Sequence, residues 1–223
     1  MLHIPEVLTG KALARVKMLI AGAPWVDGLS TAGHLSAKVK HNQQLAEDDP
    51  AGLEASEIIF DALATHPIFA SSVLAGKISP PLFNRYDVGQ TYGAHIDGAI
   101  RPLGSHRMRT DLSATLFLSD PDSYEGGELR ISDVAGEHVA KLPAGDLFLY
   151  PSGAIHSVTP VRKGTRIASF FWVQSLVREE SHRRILFDLD STIQSLALGD
   201  GQSAHVLELT AVYHNLLRLW SDV

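Results

Sequence analysis

His95-Ile96-Asp97 sets an imidazole and a carboxylate two positions apart. On a strand, residues i and i+2 point to the same face, so both side chains can converge on one ion. A third ligand from a distant strand, for which His156 is suited, completes a set of two histidines and one carboxylate. One face of an octahedral metal then stays open. That donor set favours non-haem iron(II) oxygenase chemistry, with the open positions taking a bidentate cosubstrate and then dioxygen. Arg166 follows His156 by ten positions. A guanidinium fork pairs bidentately with a carboxylate, and the distal carboxylate of 2-oxoglutarate is the natural partner.

Taken alone, His-x-Asp carries little weight. With 11 histidines in the chain, about 0.7 such pairs arise by chance, so a surface His beside a turn Asp competes with the metal reading. The surroundings shift the balance. The pair closes a β-type run and is followed by Gly98. His156 follows a glycine-containing turn, Pro151-Ser152-Gly153, near the start of another run; the plain alternative is a core histidine bonded to backbone. The run from Arg166 to Gln174 is apolar on both faces and so belongs in a covered, central strand. An arginine there needs an anion, because an unpaired buried charge is very costly. A structural salt bridge with Asp or Glu, or an arginine at the strand's exposed start, is the competing explanation.

These residues require a β framework to position them. From Ile78 onward, short β-type runs are separated by glycine and turn signals: 82–86, 92–96, 112–119, 128–132, 146–150, 155–161 and 166–174. Such spacing predicts a sandwich or barrel, of which the jelly roll is one form. Before it, Thr9 caps a helix that ends at Gly22 and Pro24, and a second helix covers 53–65 and stops at Pro67. Between them, 31–45 contains an alternating stretch read as a first strand. After Ser175 two apolar stripes, Ile185, Leu189, Ile193, Leu196 and then Val206, Leu209, Val212, Tyr213, Leu216, Trp220, predict a helical hairpin. It packs on the β core or on a second copy of the chain, as in a homodimer.

The chain as a whole restricts the partners. A net charge of −6 disfavours non-specific binding of nucleic acid, which depends on Lys and Arg. With no cysteine, disulfides and thiolate zinc sites are excluded. No run approaches the roughly 18 apolar residues of a membrane span, and Met1-Leu2-His3-Ile4-Pro5-Glu6 lacks the basic and apolar regions of a signal peptide. The expectation is a cytoplasmic protein of 223 residues that needs no metal in order to fold.

The order His-x-Asp, distant His, then Arg ten residues on resembles that of iron(II)/2-oxoglutarate-dependent dioxygenases of the prolyl 4-hydroxylase type. The chain is most similar to their PKHD-type hydroxylases. The resemblance is carried by Thr31-Ala32-Gly33, 39–45, Asn84-Arg85-Tyr86 with Gly89 and Tyr92, 109–118, Gly126-Gly127-Glu128-Leu129, Ala144-Gly145-Asp146 and Tyr150-Pro151-Ser152-Gly153, so it spans nearly the whole sequence. One departure is His41, where the family often has Asn.

The resemblance implies an α+β fold: a double-stranded β-helix (jelly roll) core at about 78–174, with N-terminal helices and a C-terminal helical hairpin. It implies a dioxygenase domain over 1–177 and an extension over 178–223. His95, Asp97 and His156 would ligate Fe(2+), Arg166 would anchor 2-oxoglutarate, and Tyr86 would border it, although a core aromatic role for Tyr86 is equally compatible with its sequence. The implied reaction is dioxygen-dependent hydroxylation coupled to decarboxylation of 2-oxoglutarate to succinate, with L-ascorbate in support. The substrate is either a small molecule, such as an iron-related metabolite or siderophore linked to iron supply, or a peptide side chain such as proline. Arg101, Arg107 and Arg109 in the loop 98–109 after Asp97 read first as a solvated loop; folded over the site as a lid, they would point to an acidic or carboxylate-bearing substrate, and Lys40 and Gln44 are candidate pocket residues. The alternatives are a cupin-like metalloprotein that is not an oxygenase, or an iron or oxygen sensor using the same triad. The remaining histidines, His34, His66, His106, His138, His182, His205 and His214, fall in no motif and are expected at the surface.

Overall fold

The computed structural model describes residues 1–31, 38–134, 136–201 and 203–223, without the side chains of Ser30 and Thr31. Ala32, Gly33 and His34, and the first two residues of the alternating stretch 36–40 read as a first strand, lie outside the described residues. Two short strands come next in the chain, Lys40–His41 and Gln43–Leu45, and they enter different sheets.

Two antiparallel sheets face each other in a jelly roll. Among the described residues, the larger sheet runs Leu2–Ile4, Leu147–Pro151, Leu112–Phe117, Arg166–Ser175, Leu82–Tyr86, Gln43–Leu45, Trp25–Asp27, with Ala75–Ile78 also paired to Arg166–Ser175. The smaller runs Gly136–Ala140, Leu129–Asp133, Ile155–Val158, Thr91–His95, Lys40–His41. The long strands fall where alternation placed them. The shorter ones, such as Leu2–Ile4 and Trp25–Asp27, are too brief to alternate, and their partners define them.

Three helices cover the outer face of the larger sheet: α1 Gly10–Ala21, α2 Pro50–Thr65 and α3 Pro67–Val73. α2 starts three residues earlier than its apolar pattern suggests. Asp49 caps it, accepting from Gly52 N at 2.9 Å, and Pro50 fits the first turn, where no amide hydrogen is needed. The period of two in the strands then sorts side chains between two cores. Phe83, Leu116, Leu147, Phe171 and Val173 pack under the helices with Ile20, Ile59, Leu63 and Phe69. Tyr86, Phe117 and Tyr150 face inward with Leu129, Ile131 and Val158 of the smaller sheet.

The C-terminal pair, α4 Glu180–Asp200 and α5 Ala204–Trp220, forms the expected helical hairpin. Its buried positions on α4 are Arg183, Leu186 and Ile193, whereas Ile185 and Leu196 of the expected stripe are about half exposed. His182 stacks on Trp220 with ring centroids 4.1 Å apart, so it is not a plain surface residue.

Candidate metal and cosubstrate centre

His95 is the last residue of the Thr91–His95 strand, and His156 is the second of Ile155–Val158. The antiparallel register pairs them directly, which brings their ring centroids to 4.2 Å. Asp97 lies past the strand's end, so the pleat alone does not aim it. Hydrogen bonds from the opposite sheet do. Its Oδ2 accepts from the Ser113 hydroxyl at 2.6 Å and from the Trp172 indole N–H at 2.9 Å. Ser113 and Trp172 are themselves register partners, and the Ser152 hydroxyl lies 2.8 Å from that of Ser113.

The three side chains meet. One ligand atom from each of His95, Asp97 and His156 lies within 4.8 Å of the others. Nδ1 of His95 is 2.8 Å from Gly93 O, and Nδ1 of His156 is 3.0 Å from Ala154 O. A carbonyl only accepts, so each Nδ1 carries a proton and Nε2 is the nitrogen left to face an ion. His156 Nε2 stands 3.7 Å from Asp97 Oδ2. Burial and the neighbouring His156 push His95 down to about 4, which keeps it neutral and able to ligate near neutral pH. The Tyr92 ring stacks on His95 at 3.6 Å, and Tyr150 meets His156 edge-on at 5.0 Å.

Arg166 opens the long Arg166–Ser175 strand opposite Tyr86, and each is 1% exposed. No carboxylate lies within ion-pairing distance of Arg166 among the described residues. Its Nη1 donates to Asn84 Oδ1 at 3.4 Å, and its Nε has no partner. The competing salt bridge is therefore absent among those residues. Gly127 makes room for the arginine stem, since a Cβ there would meet Arg166 Cδ at 3.0 Å, and its φ of +65° suits only glycine well. Burial raises the Tyr86 phenol to about 12, so it remains a hydrogen-bond donor.

All five residues line one cavity of about 400 Å³, together with Lys40, Gln44, Arg101 and Trp172. The expected loop after Asp97 is instead a hairpin, Ile100–Leu103 with His106–Arg109. Only Arg101 of its three arginines reaches the cavity. Arg109 pairs with Asp111 at 2.6 Å, and Arg107 is exposed. Sequence reasoning missed Ser113 and Trp172. Trp172 shares strand parity with Arg166, which was the available signal, whereas Ser113 could be placed only through the inter-strand register.

Comparison with known proteins gives concordant results. Residues 81–174 match the 2OG-Fe(II) oxygenase superfamily, and residues 180–222 match the PKHD-type hydroxylase C-terminal domain. A PKHD-type hydroxylase of Stenotrophomonas maltophilia is 54% identical over 224 residues, covering 100% of both chains. One from Burkholderia lata is 53% identical over 225 residues, covering 100% of this chain and 99% of that one. Among solved structures, the fold resembles a Trichoplax adhaerens prolyl hydroxylase (TM-score 0.57, 14% identity, covering 83% of this chain and 86% of that one). It also resembles Streptomyces hygroscopicus HygX, solved with nickel, 2-oxoglutarate and hygromycin B (TM-score 0.55, 12% identity, covering 78% and 82%).

Proposed function

This chain belongs to the PKHD-type hydroxylases, iron(II)- and 2-oxoglutarate-dependent dioxygenases, and from that premise we propose that His95, Asp97 and His156 hold the iron while Arg166 and Tyr86 grip 2-oxoglutarate. One observation carries the assignment: a guanidinium with almost no exposure and no carboxylate partner among the described residues shares a cavity with a convergent His-Asp-His triad. A buried unpaired charge is tolerated only where a counter-ion arrives, and a dicarboxylate supplies one. The two-histidine, one-carboxylate donor set and its convergence suit iron(II).

The bound iron and 2-oxoglutarate supply the activation of dioxygen that hydroxylates the substrate and yields succinate and carbon dioxide. The chain's residues provide geometry and exclusion of water. Gly93 O and Ala154 O fix the orientation of both imidazoles, and Ser113 and Trp172 fix the carboxylate. Arg166 orients the cosubstrate by its distal carboxylate, and the Tyr86 phenol donates to the same end. Tyr92 and Tyr150 shield the histidines from solvent.

The test is anaerobic addition of iron(II) and 2-oxoglutarate. A visible metal-to-ligand charge-transfer band should form in the wild-type protein and disappear in Arg166→Ala at equal protein and iron concentrations. A band of undiminished intensity in a folded Arg166→Ala protein would remove the arginine from its role. If no band forms in the wild type, the whole assignment falls.

Further elements of the proposal are a functional division at 177/178, support of turnover by L-ascorbate, and a cytoplasmic location with a role in iron supply. No helix among the described residues is long and apolar enough to cross a membrane. A homodimer through α4 and α5 accords with exposed apolar residues there, such as Leu207 and Leu219.

A further inference from the structure

The cavity sets one carboxylate, Asp97, against three cationic side chains, Arg166, Lys40 and Arg101. Iron accounts for Asp97 and 2-oxoglutarate accounts for Arg166. Lys40 is 8% exposed, with its ammonium 5.4 Å from the centre of the Tyr92 ring. Arg101 projects from the hairpin strand Ile100–Leu103 and lays its guanidinium 3.7 Å from the centre of the Trp172 ring. Among the described residues no carboxylate comes within ion-pairing distance of Arg101, in contrast to Arg109 on the same hairpin. Arg101 stands near enough to Lys40 to help burial hold that ammonium down to about 8. Arg101 lies on an aromatic face with no ion pair among the described residues, and a guanidinium so placed presents its fork to an incoming carboxylate.

We propose that the substrate is a small organic acid whose carboxylate is received by the Arg101 guanidinium against the face of Trp172, with Lys40 alongside. The inference rests on the iron and 2-oxoglutarate reading and specifies its substrate class. Phe170 meets Trp172 edge-on at 5.5 Å and offers an apolar wall to the rest of the molecule. Arg101 and Trp172 also border a second cavity of about 180 Å³, so an acid held there has room to extend away from the triad. A main cavity of about 400 Å³ that also admits 2-oxoglutarate favours a compact molecule over a peptide segment.

The test is succinate formation by the iron-loaded protein with a panel of small carboxylic acids, each paired with its primary amide, and with glutamate-rich peptides. Stimulation should be confined to small acids. The best acid should exceed its amide at least about ten-fold in kcat/KM, as a charge-assisted bond of roughly 1.5–3 kcal/mol requires. Arg101→Lys should retain part of that ratio, and Arg101→Gln should collapse it toward one.

A second readout needs no turnover. In metal-free protein the Trp172 indole N–H resonance, identified by its loss in Trp172→Phe, should shift with the acid and not with the amide. Stimulation by amides or by peptides alone, a panel without active acids, or an acid-to-amide ratio unchanged in Arg101→Gln would each overturn the proposal. The charge-transfer band is read on the same wild-type samples. Its absence would overturn the oxygenase assignment, whereas a band without acid preference overturns this inference alone.

Discussion

Asp97, the proposed carboxylate ligand, is held in place beyond the end of its strand. Its Oδ2 takes two hydrogen bonds, from Ser113 and Trp172, that cross from the larger sheet. Removing such supports of a metal ligand commonly weakens metal binding by about 10–100-fold. Ser113→Ala and Trp172→Phe should therefore each loosen iron(II) by that order in an anaerobic titration, with thermal midpoints close to wild type. Iron affinity unchanged in both variants would mean that the loop itself aims Asp97. The proposed ligand trio and Arg166 were legible as candidates in the sequence because residue type, spacing and the family resemblance mark them together. Their supports were not, since Ser113 and Trp172 are 59 positions apart (172 − 113) and ordinary in type, and only the register Ser113↔Trp172 reveals the pair.

At the scale of elements, the C-terminal hairpin is tied to the larger sheet by a buried charge. Arg183 of α4 is 5% exposed, and its Nη1 donates to Val177 O at 2.8 Å and Arg178 O at 2.6 Å. These carbonyls come directly after the strand that carries Arg166 and Trp172. Asp111 nearby accepts from Ser175 N at 2.9 Å and from Arg109, which locks the end of that strand. Arg183→Ala leaves the buried Val177 carbonyl without this donor, at about 1–3 kcal/mol. Urea unfolding of the variant should register a loss in that range; a midpoint matching wild type would show that the helices pack without this tie. The hairpin's existence could be read from its two apolar stripes, but not the face it buries, because Arg183 contacts the core where an aliphatic residue would be expected. The Ile100–Leu103/His106–Arg109 hairpin escaped notice for a related reason. Its polar, proline-containing sequence resembles a loop, and its pairing comes from anchoring at the base, where Thr110 N donates to Ala99 O and Arg109 N to Gln174 Oε1.

Across the whole molecule, an acidic chain of net charge −6 encloses a cationic cavity. That contrast bears on how stability varies with pH. Lys40 is ordinarily protonated up to 10.5 and in the folded chain only up to about 8. Below about pH 8 both states carry the proton and the fold bears the full cost of the buried ammonium. Between about 8 and 10.5 the unfolded chain binds more protons than the folded one, so this contribution to stability rises with pH. Lys40→Met should raise the metal-free protein's thermal midpoint by a few degrees at pH 7, about 1 kcal/mol being about 2–4 °C for a chain of this size. Its advantage should shrink as the pH climbs from about 8. An advantage that stays constant with pH would assign it to packing instead of charge. A sandwich or barrel was visible from the alternation and the family resemblance narrowed it to a jelly roll, whereas the sign of its interior was not visible, because charge inside a fold depends on which side chains the two sheets turn inward.

The Trp172 indole makes two contacts at once: its N–H holds Asp97, and its face carries Arg101. An acid bound at Arg101 and an ion bound at Asp97 would therefore perturb a single shared side chain. Their binding energies become linked, and linkage is reciprocal: whatever factor the acid adds to affinity for the ion, the ion adds to affinity for the acid. In a protein built this way the two affinities rise or fall together, so titrating the ion with and without the acid reads the size and the sign of the coupling through Trp172.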